Sequence, residues 1–264
     1  MVYRNYKNGL NERGMLASLD HLGENVASRE EAALARDAYL AALNEIARQR
    51  LQATISIKLS QLGLDISEID CRTHLETLAR SAEQHGSFVE VDMESSAYTD
   101  RTVALVTEMR RRFSSVGGVI QASLYRSEDD IRTLLRQGVR IRLCKGAYQE
   151  PASVAYPRKS EVDENYIRLL RLLLASGLYH SIATHDPRMI EEARRFARQQ
   201  NLPPDGFEFQ MLYGVRQDLQ NSLVQQGYRL RIYVPFGSEW FPYFMRRLAE
   251  RPANLLFALK SFSR

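Results

Sequence analysis

The sequence is short of the features that most quickly assign a protein to a class. Only two cysteines, Cys71 and Cys144, occur in 264 residues, with no CxxC spacing. A disulfide framework is therefore excluded, and a reducing compartment is the simplest home. The five histidines fall at 21, 74, 85, 180 and 185 without HxxxH or His/Cys clustering, so no metal is expected. Long hydrophobic runs are missing as well: Leu169 to Leu178 is short and interrupted by Arg171, and the N-terminal MVYRNYKNGL has no apolar core. The chain is expected to be neither secreted nor membrane-spanning, while a peripheral membrane contact stays open. Charge of one sign is not concentrated either. The net charge is +4, and Lys and Arg alternate with Asp and Glu along the chain. Even the run Arg110 to Arg112 reads as a solvated helix face, which leaves nucleic acid without support as a partner.

What is present is a soluble, globular composition, 44% hydrophobic and 26% charged, in a chain long enough to bury a large core. Short apolar runs alternate with longer amphipathic ones from end to end. The expected strands are Met15–Asp20, Ala53–Leu59, Ser87–Met93, Gly118–Leu124, Val139–Cys144, His180–Ala183, Phe207–Leu212 and Leu230–Val234. Helices are expected near 28–49, 68–84, 100–114, 127–137, 160–177, 187–199, 215–226 and 239–250. Ser28 with Glu31 fits a capping box, Ser127 with Asp130 and Ser160 with Asp163 are weaker relatives, and Asp186-Pro187 places an N-cap before a first-turn proline. Eight βα units with a repeat of about 30 residues predict one α/β domain over residues 1–264, a (β/α)8 TIM-type barrel. An open doubly wound sheet is the alternative; GxGxxG is absent, as is GxxxxGK followed by Ser or Thr.

In a barrel the chemistry collects at the C-terminal ends of the strands. Those ends read Asp20, Lys58, Asp92, Gln121, Arg142 with Lys145, Thr184-His185-Asp186, Gln210 with Tyr213, and Tyr233, a polar ring around a ligand. Lys58 interrupts the alternation of Ile55, Ile57 and Leu59, so it should face the lumen, with Asp92 as its natural ion-pair partner. RLCKGAY, residues 142–148, joins two cations to a glycine that lets backbone approach a ligand. Arg142 suits developing negative charge and Lys145 a phosphate; a tight βα turn is the alternative. ATHDP sets Thr184 and His185 at a helix N-terminus, where phosphate and ring contacts are common. In FEFQMLYG, Phe207 and Phe209 read as packing and Leu212 as an apolar wall. After the last strand, Pro235 and Gly237 break the chain, Ser238 can cap a helix and Pro242 is tolerated in its first turn. Along that helix Tyr243, Arg246, Arg247 and Glu250 share one face. Paired guanidiniums would grip a carboxylate bidentately; a solvated stripe of Arg–Glu pairs is the other reading.

With these residues assembled, the chain resembles proline dehydrogenase in its short, monofunctional bacterial form. The resemblance runs from Met15 to Phe262 through SIKLSQLGLD, VDMESS, VIQASLYRS, RLCKGAYQEP, ATHDP, FEFQMLYGVR, YVPFG and YFMRRLAERPAN, in the family's order. It implies a distorted (β/α)8 barrel that binds FAD. The implied reaction oxidises L-proline to 1-pyrroline-5-carboxylate, with electrons passed to a quinone, in the cytoplasm or peripherally on the inner face of the membrane. On this resemblance Arg246 and Arg247 hold the proline carboxylate, Glu250 orients them, and Tyr243 and Tyr233 close the pocket with Leu212. Lys58 lines the substrate side, and Asp92 pairs with it and shapes the ring site. Met93 and Gln121 touch the flavin, Arg142 reaches the region where hydride arrives, and Lys145, Gly146, Ala147, Thr184 and His185 bind the rest of FAD. That family usually carries helices ahead of the first strand, and on this resemblance residues 1–14 are expected to form only a short extension in their place. Two other classes stay in view: a Schiff-base aldolase using Lys58 or Lys145, and a non-catalytic barrel that retains the amino-acid clamp.

Overall fold

The computed structural model describes residues 9–23 and 26–237. Eight strands form a closed parallel barrel in sequence order: β1 (Leu16–His21), β2 (Ala53–Ile57), β3 (Val89–Val91), β4 (Val116–Gln121), β5 (Ile141–Cys144), β6 (Ser181–Ala183), β7 (Glu208–Leu212) and β8 (Arg229–Phe236). Seven helices among the described residues connect them: α1 (Arg29–Gln49), α2 (Glu68–Gln84), α3 (Thr99–Arg110), α4 (Ser127–Arg136), α5 (Lys159–Leu174), α6 (Pro187–Gln199) and α7 (Gln217–Gln225). This is the expected (β/α)8 architecture. The helix expected at 239–250 lies outside the described residues.

Local chemistry accounts for most helix starts. Ser28 Oγ accepts from Glu31 N at 3.2 Å, and the Glu31 carboxylate reaches back to Ala27 N at 2.7 Å; Asp186 accepts from Arg188 N at 3.0 Å ahead of Pro187. Two expected caps are corrected. Ser127 lies inside α4 and donates to Leu124 O at 2.7 Å, while α5 begins one residue before Ser160, where Arg158 and Glu161 form the cap. The expected break at Pro235 is corrected as well, because β8 runs through it to Phe236. The β7 pairing ends at Tyr233, whose carbonyl accepts from Tyr213 N, whereas β1 pairing continues to His21 opposite Phe236. Alternation points the missing Pro235 N–H toward β7 after β7 has ended, so no ladder bond is lost.

Alternate residues on each strand face opposite sides. The outward set, including Leu19, Ile55, Val89, Val91, Ile120, Leu143, Ile182, Phe209 and Ile232, is buried against the helices. Each such side chain contributes roughly 1.5–3 kcal/mol. Phe207 and Phe209 belong here, as expected, edge-on to each other and with Phe209 edge-on to Tyr228. The inward set is unlike the Val/Ile/Leu filling usual in these barrels. Lys58, Arg140, Arg142 and Arg231 interleave with Asp20, Glu90, Asp92 and Glu208. Stability thus comes from the ring between sheet and helices, and the lumen is a neutralised polar column.

Below that column His180, fully buried, accepts from Ile141 N at Nδ1 (3.0 Å) and meets Ser176 Oγ at Nε2 (2.9 Å). Burial, and next the charge of Arg140, push its pKa down from 6.5 to about 4. Above pH 6.5 the imidazole is neutral folded or unfolded. Below it the unfolded chain binds a proton that the folded chain refuses until about pH 4, so stability is expected to fall through that window by about 3 kcal/mol. Denaturant unfolding at stepped pH measures this, and His180→Gln should flatten the slope; an unchanged slope in the variant would assign the effect elsewhere.

Candidate active site at the C-terminal mouth

Because β2, β3, β5 and β8 place lumen residues at equivalent heights, Lys58, Asp92, Arg142 and Tyr233 converge at the C-terminal mouth. Asp92 is their hub. One carboxylate oxygen meets Arg142 Nη2 and accepts from Ser56 Oγ at 2.8 Å; the other accepts from Tyr233 OH at 3.1 Å. Arg142 is buried and divides its donors among Asp92, Glu90 (3.2 Å), Gln210 (3.2 Å) and Ser56 (2.9 Å), with its guanidinium 5.3 Å from the Tyr233 ring centre. Burial disfavours its charge, but Asp92 and Glu90 outweigh burial and hold it well above the ordinary arginine range.

Lys58 is placed in the lumen as expected, but its closer partner is Asp20, at 3.2 Å, with Asp92 at 3.8 Å. The expected Lys58–Asp92 pair is present, and Asp20 joins it as a nearer carboxylate that the sequence did not single out. Asp20 stands on β1, the other neighbour of β2, and nothing in the spacing favours one side. Complete burial raises the Asp20 pKa, Lys58 lowers it, and Asp92 adds to the rise, leaving it above the ordinary value. Tyr39 OH of α1 lies 3.3 Å from Asp20 and 3.0 Å from Gln61, which ties the mouth to the first helix.

The residues assigned to the cofactor side lie at the C-terminal ends of β3 to β6 and in the loops that follow them. Gln121 donates to Met93 O (3.2 Å) and Glu94 O (2.7 Å) and accepts from Ala147 N (3.3 Å), so it braces the loops that carry Met93 and Ala147. Glu150 pins the β5 loop from the other end by accepting from Ser96 N at 2.7 Å. Gly146 has φ 114°, and a Cβ there would stand 2.2 Å from Ser123 Oγ; the close approach that requires glycine is to Ser123. Lys145 turns out of the lumen and ion-pairs with Asp163 and, at 2.8 Å, with Asp186. Thr184 Oγ1 accepts from Asp186 N at 3.0 Å, and His185 Nε2 accepts from Leu212 N at 2.8 Å. Leu212 is half-buried beside Tyr233 in the strand register. Cys144 is half-buried at the end of β5. Tyr243, Arg246, Arg247 and Glu250 lie outside the described residues.

Sequence reasoning missed the partners below the mouth: Glu90, Ser56, Glu208 and Arg231. Their signal was the period-two alternation in VEVD, EFQ and RLRIY, which marks one face of each strand as polar. A Schiff-base role for either lysine finds no support, because both ammonium groups are held by two carboxylates, the reverse of the desolvated amine that chemistry needs. Among the described residues there is no cluster able to hold a metal ion and no helix long and apolar enough to cross a membrane.

A family model described as proline dehydrogenase matches residues 5–259. Proline dehydrogenase 1 of Bacillus subtilis is 42% identical over 251 residues, covering 95% of this chain and 83% of that protein. Proline dehydrogenase of Deinococcus radiodurans is 38% identical over 256 residues, again 95% and 83%. Among solved structures, proline utilization A from Bdellovibrio bacteriovorus, inactivated by N-propargylglycine, superposes with a TM-score of 0.86 at 26% identity, over 93% of this chain and 31% of its own. A barrel with this polar mouth and matches of this extent lead to one assignment: the chain belongs to the proline dehydrogenase family.

Proposed function

We propose that this chain oxidises L-proline to 1-pyrroline-5-carboxylate, with FAD as the hydride acceptor and a quinone as the final oxidant. The observation that carries this reading is the meeting of Lys58, Asp92, Arg142 and Tyr233 at one barrel mouth in a chain of this family. Forming the C=N bond requires hydride to leave the ring carbon beside nitrogen and a proton to leave nitrogen. Asp92 and Asp20, with Tyr233 between the substrate side and Asp92, are the groups that can take that proton and stabilise a cationic ring nitrogen. Tyr233 and Leu212 wall the ring, and Arg246 and Arg247, oriented by Glu250 and covered by Tyr243, hold the carboxylate.

The donor chemistry of the rim fits a flavin. Arg142 keeps a permanent positive charge at the mouth, and the β5 loop offers backbone at Gly146 and Ala147 held in place by Gln121. When bound, FAD supplies the acceptor for the hydride, and the protein supplies position and field. Thr184 and His185 border the same side. Lys145, neutralised by Asp163 and Asp186, serves the cofactor chiefly by fixing the β5 loop against α5 and α6.

Anaerobic proline is expected to bleach the visible band of the flavin-loaded protein; a band that persists would remove the proposal. Arg246→Ala and Arg247→Ala should each raise the KM for proline strongly while the protein still purifies yellow, since each charge-assisted hydrogen bond is worth roughly 1.5–3 kcal/mol. Wild-type KM in either variant would show that the carboxylate is held elsewhere.

A further inference from the structure

The opposite, N-terminal mouth of the barrel holds a pocket of about 400 Å³ whose lining includes Phe88, Arg110, Ser114, Arg140, Tyr179 and Arg229. Three elements contribute arginines to it: Arg110 ends α3, Arg140 precedes β5, and Arg229 opens β8. Gly117 permits this arrangement, because a Cβ there would meet Arg140 O at 2.6 Å and the Phe88 ring at 2.7 Å. Arg140 lies over both Phe88 and Tyr179, at 4.8 and 4.7 Å from their ring centres, and pairs with Glu208 at 2.6 Å. Arg110 donates Nε to Gly138 O at 3.1 Å, and Arg229 stands 5.8 Å from the Tyr179 ring centre.

Among the described residues neither Arg110 nor Arg229 forms an ion pair, in contrast to Arg140 and Arg231. Two carboxylates face this end. Glu208 is shared by Arg140 and Arg231 at the floor, and Glu83 sits on the rim, accepting from Ser114 N at 2.9 Å and Ser114 Oγ at 2.8 Å. Three guanidiniums line the pocket, Arg110, Arg140 and Arg229; Glu208 is taken up by Arg140 and Arg231, and Glu83 feels the charge of Arg110, so the lining keeps a net positive charge beside its aromatic walls. Such a wall focuses the field on an incoming anion, guanidinium forks match carboxylate and phosphate oxygens, and the volume suits a small organic ligand.

We propose that this pocket binds a small organic dianion, its charged groups held by Arg110 and Arg229 and its apolar part set against Tyr179 and Phe88. The site lies at the far end of the lumen from Asp92, Arg142 and Tyr233.

Calorimetric titration of the flavin-loaded protein tests it, at constant ionic strength and with saturating proline under anaerobic conditions to occupy the catalytic mouth. Phenyl phosphate and succinate serve as probes for a phosphate-headed and a dicarboxylate ligand. Saturable binding of at least one is expected, weakened tenfold or more by Arg229→Gln and by Arg110→Gln and unaffected by Arg246→Ala. The stronger probe identifies the head group. Each variant's thermal midpoint is measured without probe, and Arg110→Lys, which keeps the charge, should recover part of the affinity if Arg110→Gln loses stability. The proposal is overturned if neither probe saturates, if sodium chloride at matched ionic strength produces the same heats, or if the Arg110→Gln/Arg229→Gln double variant binds like the parent. Loss of binding in Arg246→Ala alone would place the probe in the catalytic mouth and overturn it equally.

Discussion

Glu208→Leu is expected to destabilise the fold by about 3–5 kcal/mol, the usual cost of stripping a buried cation of its partner. Glu208 is fully buried and saturated: Arg231 grips it bidentately at 2.8 and 3.0 Å, Arg140 at 2.6 Å, Gln210 at 2.8 Å, Ser181 at 3.0 Å and Tyr179 OH at 3.0 Å. Burial alone would raise its pKa, but Arg231 and Arg140 outweigh burial and hold it well below the ordinary carboxylate range. Its folded pKa is thus depressed, so its contribution is complete above the unfolded value of 4.5 and is lost as pH falls below that toward the folded value. Denaturant midpoints at pH 7 measure the effect of the substitution. The double variant Glu208→Leu/Arg231→Met should recover much of the loss, because an apolar pair replaces an orphaned charge. A single variant within about 1 kcal/mol of the parent would mean that the guanidiniums find water at the barrel floor.

Arg142→Met is expected to slow reduction of bound flavin by proline by a factor of about 10² to 10³, the scale on which preorganised charge acts at a reacting centre. The substitution leaves Glu90 and Asp92 facing one another without the cation between them, and it frees Asp92 and Tyr233 to move. Arg142→Lys should not restore the rate, since one ammonium cannot span Glu90, Gln210, Ser56 and Asp92 as the guanidinium does. Anaerobic stopped-flow mixing with flavin content measured in parallel separates slow chemistry from lost cofactor. A parental reduction rate at full flavin occupancy would remove Arg142 from the chemistry.

Both expectations rest on the lumen, and the lumen is where sequence and structure part company. The amino-acid sequence by itself determined the eight strands and the seven helices between them, because period-two and period-3.6 patterns are local, with caps such as Ser28 and Asp186 marking helix starts. It also determined which strand ends are polar, and with them the placing of Asp92, Arg142 and Tyr233 at one mouth. It did not determine which charge pairs with which. Lys58 has a carboxylate on either side, and only the register of β1 against β2 and the tilt of the closed barrel bring Asp20 nearer than Asp92. Glu208 meets Arg231 from a neighbouring strand, while Arg142 reaches Glu90 across the lumen, over 52 residues of sequence. Lys145 looked like a phosphate ligand until α5 and α6 presented Asp163 and Asp186 to it. Arg110, read from sequence as part of a solvated run, became a pocket wall when β5 and β8 brought Arg140 and Arg229 alongside. Residue type and local pattern decide what a strand can offer. Ion-pair partners are decided by distances of a few ångströms between elements far apart in the chain, and only barrel closure sets those distances.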